Sequence, residues 1–291
     1  IYDEKIEGSA NNQQPAWTAH KTGNIEKEKN NKESEKKSEL SVFYPEGSYG
    51  WENSQIESRT VLIDNVTIWT CGGEGVLDSY DILFAKGKVK NISKKIKPPK
   101  NALIIDGRGK HVTPGLIDCH SHSAAFSINE GTQSVTSEVR IQDVINSDDI
   151  AIYRELAGGL TMANILHGSA NTIGGQNAVI KLRWGATPNG LLYSNAVKGI
   201  KFALGENVKQ SNWGDDNTTR YPQTRMGVEQ LLRDAFSTAV EYRDRWDDYN
   251  DNSKKWKKKV APRKDLELDA LVEIIEGDRQ IHCHSYRQDE I

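Results

Sequence analysis

The apolar positions of this chain change their period along its length. Residues 1–40 carry few large apolar side chains, and residues 23–38 are dominated by Lys, Glu, Asn and Ser. A segment of that kind cannot bury enough apolar surface to offset its ordering entropy, so it is expected to be a disordered linker. Residues 59–111 then alternate with the period of strands. A β-branched run covers 60–70, a hairpin is expected over 81–90 with its turn near Gly87, and a strand at 102–106 enters an Asp-Gly turn at Asp106 and Gly107. The reading for 41–111 is a β-rich, sandwich-like segment.

From His111 onward strands and helices alternate, the pattern of an α/β fold with a parallel sheet. Asp149 can cap a helix over 150–157, which Gly158 and Gly159 would end. Strands are expected at 161–166, 178–184, 199–204 and 281–286. A long helix carries Val228, Leu231, Leu232, Ala235, Phe236, Ala239 and Val240 on one stripe. Its far end runs into the basic stretch 254–259, read as a solvated helix end. A second helix, 265–276, turns Leu268, Leu271, Val272 and Ile275 inward and stops at Gly277.

The candidate chemistry begins at the run VTPGLIDCHSH, residues 112–122. Alternate side chains of a strand share a face, so His120 and His122 point the same way and can grip one divalent ion. A bare H-x-H is weak evidence. With the preceding Pro114, Gly115, Leu116, Ile117 and Asp118, the run resembles the metal-binding signature of the amidohydrolase superfamily, metal-dependent hydrolases built on a TIM barrel. The resemblance covers 59–291. It implies that 112–291 is the N-terminal part of a (β/α)8 barrel. A full barrel takes eight strands and about 250 residues, and this stretch supplies about five strands. The expectation is therefore a truncated, inactive piece of a longer protein, with its general-base Asp beyond Ile291.

The same resemblance assigns His284 as a further metal ligand, from the second H-x-H pair at 282 and 284, with His282 supporting it. An anionic bridging ligand comes from Glu206, the preferred choice, or from a carboxylated Lys201. The glycine-rich stretch 167–176 resembles a loop of amidohydrolases related to imidazolonepropionase, where backbone amides could bind a substrate oxygen. His167, Arg220, Tyr221 and Arg225 are candidates to touch substrate, with loop anchoring the preferred role for the arginines and a hydrogen-bonded structural role the alternative for His167.

The net charge of −3 gives no ground for a nucleic-acid or membrane partner, and no apolar run reaches the length of a membrane span. Cys71, Cys119 and Cys283 suggest no disulfide framework, and the last two are expected as buried thiols. Compartment is left open. The resulting expectation is hydrolysis of an amide or cyclic amide in a small-molecule substrate. It needs one or two divalent ions, zinc by the ligand types, which activate water. The linker-like start suggests a further domain upstream. A degenerate, non-catalytic amidohydrolase-like domain of a multidomain protein is the alternative.

Overall fold

The structure is a computed structural model. It describes residues 5–8, 17–20, 59–209, 220–251 and 260–290, and the chain divides into two compact units, Ile1–Phe43 and Tyr44–Ile291. In the first unit two short strands, β1 (Lys5–Gly8) and β2 (Trp17–His20), pair antiparallel. The rest of the expected linker lies outside the described residues.

The second unit opens with a five-stranded sheet. β3 (Val61–Trp69) pairs antiparallel with β4 (Val76–Ala85), which pairs antiparallel with β5 (Lys88–Ser93). The β4–β5 turn has Lys86 at φ 51 and Gly87 at φ 69. Two successive left-handed residues make the tight turn whose twist matches the strands. β6 (Leu103–Asp106) and β7 (His111–Val112) both lie parallel to β3. Val66, Ile68 and Ile82 form the small core beneath.

The remaining elements are mixed α/β. β8 (Leu116–Ser121) leads to α1 (Ile150–Ala157), β9 (Leu160–Ile165), β10 (Ile173–Gln176), β11 (Ala178–Lys181) and α2 (Pro188–Leu191). Then come β12 (Lys198–Ala203), α3 (Arg225–Asp251), α4 (Leu266–Ile275) and β13 (Arg279–His284). Helix caps fall where the sequence puts them. Asp149 accepts from the backbone N–H of Ala151, and Asp265 accepts from Glu267 and Leu268. The basic stretch 254–259 lies outside the described residues.

Two three-stranded sheets result, β11-β9-β8 and β10-β12-β13. Each contains one parallel pair, β8 with β9 and β12 with β13. Here one expectation is corrected. The strand expected at 178–184 does not continue a parallel array: β11 folds straight back on β9, antiparallel. Only about a dozen residues separate the two, and that connection itself forms β10, so no crossover helix is available to reverse the chain. Two cores fill the space between sheets and helices. One gathers Ile152, Ile165, Ile180 and Leu191, the other Ile173, Ile200, Phe202 and Leu271 against α3 and α4. Each fully buried aliphatic contributes about 1.5–3 kcal/mol. Among the described residues no helix is long and apolar enough to cross a membrane.

Candidate metal centre

Four side chains from three strands meet electrostatically at the ends of β8, β12 and β13. His120 and His122 converge, with their Nε2 atoms 3.4 Å apart and the rings edge-on at 87°. Lys201 on β12 reaches across the gap between the two sheets, its Nζ 3.2 Å from His120 Nε2. It is 1% exposed. His284, at the end of β13, is near enough to act on His120, and His122 and Lys201 act on it in turn.

Hydrogen bonding dictates which nitrogens are available. His122 Nδ1 lies 3.0 Å from the Leu166 carbonyl, which can only accept. Nδ1 therefore carries the hydrogen, and in the neutral ring Nε2 presents its lone pair. His120 Nε2 faces both Lys201 Nζ and the bare His122 Nε2, and in the tautomer that accepts from Lys201 its lone pair lies beside that of His122. Burial depresses the His120 pKa, and Lys201, His122 and His284 push it further down. Burial likewise lowers Lys201 and His284. All three are held toward their neutral forms.

This donor set fits a divalent ion. Two nitrogens on a tetrahedral zinc at about 2.0–2.1 Å would lie about 3.3–3.4 Å apart, which is the separation of the two Nε2 atoms. Among the described residues no three His, Cys, Asp or Glu side chains come close enough to hold an ion by themselves. An oxygen donor on Lys201 would complete the set.

The other candidates fall elsewhere. The Glu206 carboxylate pairs with Lys209 at 2.7 Å, on the loop after β12. His282 is below the rim, beside Gly199 and Asn177. His167 is buried with both ring nitrogens engaged. Nε2 accepts from the Glu130 backbone N–H at 2.8 Å, and Nδ1 donates to the Gly168 carbonyl. It joins two loops and has no nitrogen left for a substrate. Arg220 donates to the carbonyls of Gly131, Gln133, Ala170 and Val208, the loop-anchoring role. Tyr221 donates to Gln230, and Arg225 pairs with Asp289 and Glu290. The glycines of 167–176 have a packing reason. A Cβ on Gly174 would lie 2.9 Å from His167 Nδ1 and 3.0 Å from the Lys201 carbonyl, so β10 can approach β12 only without a side chain there. Cys119 and Cys283, expected to be buried, are free and exposed.

Sequence reasoning missed Ser169, whose Oγ lies 2.5 Å from His284 Nδ1. Nothing marked it beyond its place in the glycine-rich stretch.

No protein-family model matches the chain. Amidohydrolase tasK of Hapsidospora irregularis is 29% identical over 273 residues, covering 80% of this chain and 27% of that protein. An imidazolonepropionase of Vibrio cholerae serotype O1 is 33% identical over 72 residues, 25% of this chain and 17% of that protein. An amidohydrolase from Thermotoga maritima MSB8 superposes with a TM-score of 0.67 at 30% identity, over 79% of this chain and 59% of that one. The chain is amidohydrolase-like. It spans about a quarter of the length of the tasK relative and 59% of the Thermotoga structure. In this amidohydrolase-like chain the run from Leu116 to His122 is the strand end that carries the converging imidazoles.

Proposed function

We propose that the protein is a metal-dependent hydrolase of carbon–nitrogen bonds, acting on an amide or cyclic amide of a small molecule. In this reading the two parallel pairs, β8–β9 and β12–β13, are part of a (β/α)8 barrel with the site at its rim. The observation that carries the proposal is the pair of facing Nε2 atoms 3.4 Å apart, with a buried lysine amine beside them. A divalent ion can take both nitrogens at once. The amidohydrolase and imidazolonepropionase relatives support the reaction class.

His120 and His122 would hold the ion, and His284, which stands at the same rim but farther off in the metal-free protein, would join them when it is bound. Lys201, kept toward its uncharged form by burial, is the bridging candidate once its amine has taken up carbon dioxide as a carbamate. Its contact with His120 favours it over Glu206, whose carboxylate faces Lys209. A divalent ion, zinc by the donor types, supplies a nucleophilic water near neutral pH and polarises the scissile carbonyl. The Leu166 carbonyl keeps His122 in the tautomer that leaves Nε2 bare.

The test is metal content of the protein purified without chelator, together with 13C-bicarbonate labelling. Stoichiometric zinc, and a carbamate resonance that Lys201→Arg removes, are expected. Protein that takes up no divalent ion at neutral pH would end the proposal.

A further inference from the structure

His122 and His284 are held by one short loop in two different ways. Leu166 accepts from His122, and Ser169, three residues on, contacts His284. The Leu166 end is tied directly to β8, because its N–H donates to the Ser121 carbonyl at 3.0 Å. The Ser169 end has no such strand beneath it. Its neighbours are fixed from outside. The Gly168 N–H donates to the Ile128 carbonyl at 2.7 Å, and the buried Asn171 amide donates to the Glu130 and Gln133 carbonyls at 2.6 and 2.7 Å.

Arg220 closes this arrangement. One arm of its guanidinium donates to Ala170 at 2.6 Å and to Val208 at 3.3 Å. The other donates to Gly131 at 2.5 Å and to Gln133 at 3.2 Å. One planar fork therefore ties three segments together: the loop before Thr136, the residue directly after Ser169, and the loop that follows β12. The Ala170 and Val208 residues it reaches are themselves buried. A lysine, with a single point of charge, cannot reproduce that span.

We propose that Arg220 is a positioning residue for His284, acting through Ala170 and Ser169 to fix the direction of its imidazole. This rests on the reading of His284 as a metal ligand for its functional meaning, but the positioning itself concerns the metal-free ring. A shift of the Ala170 carbonyl carries the Ser169 hydroxyl with it, and His284 Nδ1 then keeps only its longer contact, 3.4 Å to the Asn207 amide. His122 is unaffected, since Leu166 is anchored on β8.

The experiment is long-range 1H–15N NMR of the histidine side chains in chelator-treated full chain, for Arg220→Lys and Ser169→Ala, with zinc affinity measured separately by chelator competition. Both variants are expected to move the His284 Nδ1 resonance and to leave His122 as Nδ1–H. Arg220→Lys is expected to weaken zinc binding by about tenfold, the scale of lost support around a ligand histidine. A fall in unfolding midpoint with both rings unchanged would show a merely structural arginine and overturn the proposal. So would equal disturbance of His122 and His284. If Arg220→Lys does not fold, Ser169→Ala decides: a His284 ring indifferent to the hydroxyl leaves Arg220 nothing to act through. If the rings respond as expected while the unsubstituted protein binds no zinc, the metal reading fails and the positioning stands.

Discussion

His120 and His122 close β8 with their Nε2 atoms 3.4 Å apart, whereas His282 and His284, at the same spacing on β13, are directed to different places. On β13 every residue from Arg279 to His284 pairs in regular register with β12, which sets His282 opposite Lys201 and His284 opposite Ala203. Regular strands place residues i and i+2 more than 6 Å apart, so the two rings occupy different depths. His284 is at the rim and His282 is one layer down, against Gly199 and Asn177. On β8 the register with β9 slips between Asp118 and Ser121, and the strand stops there. Freed from the ladder, the chain bends and the rings come together. Spacing alone does not make a chelating pair; a strand end with a register slip does.

The largest effect should separate the pairs. His120→Ala or His122→Ala is expected to weaken zinc binding by about 100-fold or more, since a ligand matters more than the support around it, which is worth about 10–100-fold. His282→Ala should change affinity by only a few-fold. Chelator competition with the three variants side by side measures this. Equal losses in all three would mean that both pairs serve the ion alike and the contrast is false.

Much of this was legible beforehand, for physical reasons that differ by element. α1 and α4 follow from their Asp caps and terminal glycines, and β12 and β13 from short segments in the strand–helix alternation. His120, His122, Lys201 and His284 were all candidates because strand period and the amidohydrolase resemblance select them. Which of Glu206 and Lys201 lies beside His120 was not legible, because it depends on which side chain crosses from β12 toward that ring. The direction of β11 was hidden as well, since apolar β-branched residues suit parallel and antiparallel ladders equally. The glycines of 167–176 suggested ligand contact, while β10 needs them to lie close against β12.

A middle-sized effect tests why His282 is excluded from the rim. A Cβ on Gly199 would stand 2.6 Å from Asn177 Nδ2 and 2.9 Å from His282 Nε2. Gly199→Ala should therefore crowd this lower layer and destabilise the protein by about 1–3 kcal/mol, the usual cost of overpacking. Zinc affinity of the folded protein should hardly change. Urea unfolding gives the first quantity and chelator competition the second. A variant as stable as the parent would mean that the layer is loose and that His282 is free to move.

The smallest effect is a pH dependence that belongs to the lower layer. His282 has its pKa lowered, first by burial and then by Lys201. The unfolded chain, with an ordinary value of about 6.5, binds a proton more readily than the folded one as the solution is acidified. The stabilising contribution of a neutral His282 is thus fully present above about pH 6.5. It is lost as pH falls from there through the depressed folded value. Other groups titrate as well: His120, His167 and His284 are also lowered, and the Glu155 and Glu267 carboxyls are raised by burial. A difference removes them. In metal-free protein, the gap in urea midpoint between the parent and His282→Gln should be constant from pH 8 to about 6.5, then narrow on acidification, since only the parent carries that imidazole. A gap that stays level down to pH 5 would place His282 in solvent rather than against Gly199, and the two pairs would then differ in position but not in environment.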